Sequence, residues 1–165
     1  NKISIHNFYV PAGGDIPDAK MNEKFEHKIK FLNEITNFLK KDISNSKVVM
    51  GDFNIAPFEN DVWSHKQLLN VVSHTKIETD SLKNLLNYCD LEDIVRNKKN
   101  QSEKIFTWWS YRNKDWKKTN RGRRLDHIFV SKNLIKLFRK AIIFKEARDW
   151  IKPSDHVPLT IDLNI

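Results

Sequence analysis

The chain has 165 residues, 39% of them apolar and 30% charged, which fits one globular domain with enough Ile, Leu, Val, Phe and Trp for a core. No run of about 18 apolar residues is present, which argues against a membrane-spanning helix. No signal-peptide pattern opens the sequence, and the single cysteine, Cys89, excludes a disulfide within the chain and suits a reducing compartment.

In chain order, Ile3, Ile5, Phe8 and Val10 predict a strand over 2–10, broken by Pro11, Gly13, Gly14 and Pro17. Phe25, Ile29, Leu32, Ile35, Phe38 and Leu39 recur at three-and-four spacing and predict an amphipathic helix over 21–41. An apolar strand follows over 47–51, so the three elements make a βαβ-like unit. Residues 52–78 read as loop with a helical turn near 66–69, and 80–90 as a helix carrying Leu82, Leu85, Leu86 and Cys89. Residues 96–104 read as a polar loop. Alternation predicts strands over 105–111 and 124–130, joined by a basic loop over 112–123. A short helix over 132–138, a strand over 140–146 and a final alternating strand (Val157, Leu159, Ile161, Leu163) complete an α/β chain.

The net charge of +8 favours polyanionic partners, and its distribution says more. Between Arg96 and Arg124 lie eleven Lys and Arg, including Lys99, Arg112, Lys117, Lys118, Arg121 and Arg123, against only Glu103 and Asp115, a local net of +9. Phe106, Trp108, Trp109, Tyr111 and Trp116 fall in the same stretch. A solvated lysine-rich loop would share the charge; cations interleaved with aromatics are the footprint of a nucleic-acid surface.

Three strand ends carry polar groups: Gly51-Asp52-Phe53-Asn54, Arg124-Leu125-Asp126 and Pro153-Ser154-Asp155-His156. A lone acid at a strand end is usually a turn or cap residue. Together they supply three carboxylates, an imidazole and an amide beyond strand ends, where α/β sheets gather ligand-handling groups. Phosphodiester hydrolysis needs such a set. A divalent cation neutralises the anionic ester, hard cations take carboxylate oxygens, a carboxylate takes a proton from water, and a cationic histidine stabilises phosphorane charge. In this reading Asp52 handles the water and Asn54 the phosphate.

GDFN followed far downstream by SDH resembles the endonuclease/exonuclease/phosphatase superfamily. Phe8-Tyr9-Val10-Pro11-Ala12-Gly13-Gly14, Phe106-Thr107-Trp108-Trp109-Ser110-Tyr111-Arg112, Arg121-Gly122-Arg123-Arg124-Leu125-Asp126 and Lys152-Pro153-Ser154-Asp155-His156 are similar in order and spacing to its exonuclease III / abasic-site endonuclease branch. The resemblance implies a DNase I-like α/β sandwich, two packed mixed sheets with flanking helices. Residues 1–165 would supply the C-terminal part of that single domain. It implies a nuclease cutting at abasic sites and from 3′ ends of duplex DNA with Mg²⁺, or Mn²⁺ in its place, in the bacterial cytoplasm at the nucleoid. Tyr9 would contact the scissile phosphate, Asp52 activate water, Asn54 bind a phosphate oxygen or the transition state, and Asp126 pair with His156, which faces the phosphate. Asp155 would sit at the metal, with Asp52, Asn54 and His156 also within its reach. Trp108 and Leu125 would line a pocket for a flipped-out abasic sugar, while Arg112, Lys117, Lys118, Arg121 and Arg124 grip DNA. Arg123 and Arg124 could be solvated charges, but their place beside Asp126 favours DNA or pairing with a carboxylate, and His127, next to Asp126, would face the other side of its strand.

No acid here matches the family's main glutamate metal ligand, which belongs to its N-terminal part. That implies weak metal binding and cleavage by this chain alone, and an apolar sheet face that the other part would cover. Two alternatives stand beside the nuclease: an inositol-phosphate phosphatase or lipid phosphodiesterase of the superfamily, and a catalytically inactive DNA-binding module. The long basic segment speaks against the first, since a small substrate needs no such face.

Overall fold

The computed structural model describes residues 2–98 and 102–165; Lys99 of the basic segment lies outside them. Strand β1 (Ser4–Tyr9) runs into helix α1 (Glu23–Lys41), and the chain returns as β2 (Lys47–Asp52) parallel to β1. The βαβ unit expected from periodicity is therefore present. Asn22 caps α1, its side chain accepting from the Lys24 N–H, with Glu23 and Glu26 in the first turn and Lys40 and Lys41 in the last, as the helix dipole favours.

Beyond β2 come the short helix α2 (His65–Leu68) and helix α3 (Lys76–Tyr88), the latter opened by a Thr75/Glu78 capping box. Strand β3 (Leu91–Asp93) and helix α4 (Ile94–Lys98) follow; the helix runs three residues into the polar loop expected over 96–104. The strand expected over 105–111 shrinks to β4 (Trp108–Trp109). Residues before it bond to scattered partners: the Ile105 N–H donates to Asn60 O and the Thr107 N–H to Arg123 O. Within the basic loop, Asp115 caps helix α5 (Trp116–Thr119), and β5 (Gly122–Arg123) pairs with β4. Strand β6 (Asp126–Ser131), helix α6 (Lys132–Ile135), β7 (Phe138–Ile143) and β8 (Leu159–Leu163) complete the chain.

The main sheet is mixed, in the order β1-β2-β6-β3, and β7-β8 is a separate antiparallel pair. Strand alternation sends Val49, Phe53 and Phe129 toward α1 and α3, where they pack with Leu32, Ile35, Leu39, Leu82 and Leu85. Val48, Ile128 and Val130 point the other way and pack with Ile143, Leu159, Ile161 and Leu163 of the β7-β8 layer. The expected face-to-face sheets are thus formed, the second represented among the described residues by β7 and β8. Ile5, in register with Val48, lies on that inner face and is 65% exposed.

Cys89 packs against the first core, as its apolar context predicts. Gly51 has φ 132°, and a Cβ there would lie 2.0 Å from the Phe8 carbonyl oxygen, so only glycine lets β2 approach β1 at this row.

Candidate active site

One register row builds the site. Tyr9 pairs with Asp52, and Asp52 with Asp126, so three side chains from three strands emerge side by side at one end of the sheet, on its inner face. His156 reaches the same place from the loop before β8, through a bridge to Trp108. His156 Nδ1 lies 2.9 Å from Asp126 Oδ2, and its Nε2 lies 3.8 Å from Asp52 Oδ2. One ligand atom from each of Asp52, Asp126 and His156 falls within 4.8 Å of the others, a spacing that could hold a metal ion. The expected Asp126–His156 pair is therefore formed.

Asn54 sits at φ 52°, in the left-handed region that asparagine tolerates better than most residues. The turn folds it back onto Asp52: the Asn54 N–H donates to Asp52 Oδ1 at 2.8 Å, and Nδ2 donates to Asp52 Oδ2 and to Val10 O, each at 2.9 Å. Both amide hydrogens are so engaged, and the Oδ1 atom has no hydrogen bond among the described residues. That suits a cation, one of the partners expected for Asn54, or a water proton better than a phosphate oxygen.

Burial pushes the Asp52 carboxyl above its ordinary range, with the nearby Asp126 charge acting in the same direction against the Asn54 hydrogen bond. For His156, burial works to lower the pKa, but the hydrogen bond and charge of Asp126, helped by Asp52 and Asp155, carry it upward. The ring is thereby held toward its cationic form.

Tyr9, Asp52, Asn54 and His156 line a cleft of about 530 Å³, together with Val72, Trp108, Leu125, Arg123 and Asp155. Asp155 stands apart from the acid–histidine cluster and accepts from Trp108 Nε1 at 2.9 Å, fixing the indole as a wall. Trp109 is fully buried, with its Nε1 on Asn120 Oδ1. The adjacent tryptophans thus divide as strand alternation requires, one in the core and one at the cleft. A second groove of about 660 Å³ shares Asp15, Trp108 and Arg123 with the cleft and continues it past Trp63, Arg112 and Arg121. Arg121 lies over the Trp63 ring at 4.6 Å. Lys117 and Lys118 are exposed on α5 outside this groove, and Lys117 pairs with Asp149 at 2.6 Å.

Arg124 is the main correction. It is fully buried, Nε donating to Asp61 Oδ1 at 2.9 Å and Nη2 to Asp61 Oδ2 at 2.8 Å, with Asp93 Oδ2 2.7 Å away. It cannot contact DNA from there, and carboxylate pairing is the role realised. Arg96 is likewise buried on Asp61, so among the described residues two cations of the basic segment are interior. The residue before Arg124, Arg123, faces the cleft instead. His127 is buried, its Nε2 2.7 Å from Ile55 O, on the far face as expected.

Four residues that frame the site escaped the sequence reading. Thr107 Oγ1 accepts from the N–H groups of Leu125 and Asp126, at 3.0 and 3.1 Å, and so fixes the entry to β6. Buried Lys28 donates to Asn54 O at 2.8 Å, Ala12 O at 3.2 Å and Glu78 Oε1 at 2.5 Å, tying the segments that follow β1 and β2 to α3. Glu78 accepts in turn from Ser73 N. Arg148 donates to Ser154 O at 2.7 Å beneath the Asp155-His156 loop. A signal existed for Lys28: it occupies the apolar stripe of α1 between Phe25 and Leu32.

Known proteins share this arrangement of chain. Residues 29–156 match the model of the endonuclease/exonuclease/phosphatase family, and the chain belongs to that family. It is 33% identical over 166 residues to exodeoxyribonuclease III of Haemophilus influenzae, covering 95% of this chain and 60% of that protein. Among solved structures, an AP endonuclease from Archaeoglobus fulgidus superposes with a TM-score of 0.90 at 30% identity, covering 99% of this chain and 62% of the other. A 3′ phosphatase, NExo, from Neisseria, bound to a product DNA hairpin, gives 0.88 at 27%, covering 96% and 60%. The DNase I-like fold follows from these likenesses, and the chain spans about three fifths of the length of these relatives.

Proposed function

We propose that the chain is the C-terminal part of one endonuclease/exonuclease/phosphatase domain, and that this domain is a metal-dependent DNA-repair nuclease. It would hydrolyse phosphodiester bonds at abasic sites and from 3′ ends of duplex DNA in the bacterial cytoplasm. The observation that carries this reading is the Asp52–Asp126–His156 cluster, two members of which, Asp52 and His156, line a cleft that continues into a groove of arginine and tryptophan. The exodeoxyribonuclease III and AP endonuclease relatives support the same class.

The donor set fits a hard divalent cation. Asp52 and Asp126 offer carboxylate oxygens and Asn54 Oδ1 has no hydrogen-bond partner among the described residues, a chemistry suited to Mg²⁺ or Mn²⁺. Such an ion, when bound, would neutralise charge on the phosphodiester. The protein groups have separate tasks. Asp52, with its raised pKa, accepts a proton from the attacking water. His156, kept cationic by Asp126, donates from Nε2 toward the phosphate oxygens. Exposed Tyr9, on the same row, supplies a hydroxyl at the cleft mouth. Trp108 and Leu125 give an apolar wall for a sugar without its base.

The test is cleavage of a duplex oligonucleotide carrying one abasic-site analogue, with Mg²⁺ and with EDTA, by this chain alone and with a supplied N-terminal part from a relative. EDTA-sensitive cleavage in either arm supports the nuclease. Retained DNA binding without cleavage in both arms makes the chain an inactive DNA-binding module instead.

A further inference from the structure

We propose that Arg123 forms a second phosphate subsite, which holds a phosphate group of the nucleic acid other than the one being hydrolysed. This rests on the nuclease reading and gives its substrate a second anchoring point. Arg123 lines both the catalytic cleft and the basic groove, at their junction. Its guanidinium is held in place: Nη1 donates to Ser73 Oγ at 2.7 Å and to Val72 O at 3.0 Å, and the group lies over the Trp108 ring at 5.5 Å. Ser73 is itself fixed by its N–H on buried Glu78.

Only Nη1 is used. Nε and Nη2 of Arg123 have no hydrogen bond among the described residues, and no carboxylate there forms an ion pair with it. The neighbouring Arg124 shows the contrast, with two carboxylates against it. Burial lowers the pKa of Arg123, opposed by the more distant charge of Glu78. A half-buried, rigidly held guanidinium with two free donors is an incomplete ion pair, and the fork geometry matches a phosphate. The surroundings favour a nucleotide phosphate over a free anion. Trp108 and Leu125 offer apolar surface for the attached sugar, while Asp52, Asn54 and His156 line the same cleft. The phosphate has two sources: an internal diester beside the scissile bond, or a terminal 3′-phosphate.

Binding by the full chain in EDTA tests this without requiring cleavage. Three duplexes with a recessed end would be titrated by tryptophan fluorescence: one ending in a 3′-hydroxyl, one in a 3′-phosphate, and one with a 3′-hydroxyl end and a single neutral methylphosphonate at the second linkage from it, next to the linkage that would be cut. A terminal source makes the 3′-phosphate duplex bind roughly tenfold tighter than the hydroxyl, about 1.4 kcal/mol. An internal source makes the methylphosphonate duplex bind roughly tenfold weaker. In either case Arg123→Met should abolish the preference, and Arg123→Lys, which keeps the charge without the fork, should restore part of it. If Arg123→Met is unfolded by circular dichroism, loss of most of the preference in Arg123→Lys supports the subsite, and its full retention overturns it. A preference unchanged in folded Arg123→Met, or no preference in the parent chain, also overturns the subsite while leaving the nuclease reading intact. Absence of salt-sensitive binding to all three duplexes would instead refute the nucleic-acid reading, and the subsite with it.

Discussion

Replacing Arg124 by methionine should unfold the chain far more readily without touching the cleft. The guanidinium is fully buried between Asp61 and Asp93, and Asp61 is also fully buried. Methionine keeps most of the volume but leaves two interior carboxylates short of their cation. Breaking a buried ion pair from one side costs about 3–5 kcal/mol. Arg96 still pairs with Asp61, which keeps the loss within that range. For a chain of this size each kcal/mol lowers Tm by about 2–4 °C, so a fall of about 6–20 °C is expected. The assay is urea and thermal unfolding followed by circular dichroism, with exposed Arg121→Met as a control that should stay within about 0.5 kcal/mol. The pH dependence gives a second readout. Although burial opposes it, Arg124 holds the Asp93 carboxyl well below the usual range, so the pair stabilises the parent above the unfolded carboxylate pKa and the benefit disappears only in strong acid. Without Arg124 that pKa should rise, since burial is then opposed chiefly by the neighbouring His127. The carboxyl then protonates in mild acid, and the deficit of the variant should shrink between pH 7 and 4. A destabilisation under about 1 kcal/mol, accompanied by weaker DNA binding, would refute the interior assignment and return Arg124 to the DNA surface.

Asp52→Asn should abolish cleavage by whichever form of the enzyme is active and leave DNA affinity unchanged or raised; in the chain alone it should also remove any rise in Tm produced by Mg²⁺ or Mn²⁺, read by differential scanning fluorimetry. In metal-free protein, Asp126→Asn should lower the His156 pKa, read by NMR titration of the ring. Because that pKa is raised in the folded chain, the pair stabilises below the unfolded value of 6.5 and its contribution is lost as pH rises through the folded value, a slope that Asp126→Asn should flatten. Lys28→Met leaves Glu78 buried without its cation and should cost about 3–5 kcal/mol in urea unfolding, whereas Lys28→Met with Glu78→Gln should recover part of it. Neutralising Lys117 and Lys118 should reduce the slope of log K against log salt by up to about 0.9 for each phosphate left unneutralised, with the larger share from Lys118, since Lys117 already pairs with Asp149.

Much of the framework was legible because it is periodic. The apolar stripe of α1, the apolar run of β2 and the alternation read across β6 and β8 are local patterns that burial then enforces. The three polar strand ends were legible as a set because each follows or precedes such a pattern. Elements held by distant partners were not. Strand β3 is three residues long, and β4 is two; both exist through pairing with chain far away in sequence. The Asn54 amide illustrates the same limit at the site. Its residue type announced a polar role, but the left-handed backbone and the Val10 carbonyl decide that its N–H groups point into the protein.

Arg123 and Arg124 show where sequence reasoning stops and what takes over. Adjacent residues in extended chain face opposite sides, so one of the two must point inward and the other outward. The local sequence, Arg-Gly-Arg-Arg-Leu-Asp, does not say which. The choice is made by Asp61 and Asp93, brought behind the strand by a turn and by β3, which together stabilise a buried cation only at position 124. Gly122 reinforces it, since a Cβ there would lie 2.6 Å from the Phe106 ring, and this close packing sets how β5 lies against the core. Arg123 then has no alternative but the cleft wall, beside Trp108. The same two acids that neutralise Arg124 inside are therefore what leaves a guanidinium with unused donors at the junction of cleft and groove, and exchanging the environments, by Asp61→Asn with Asp93→Asn, should destabilise the fold rather than turn Arg124 outward.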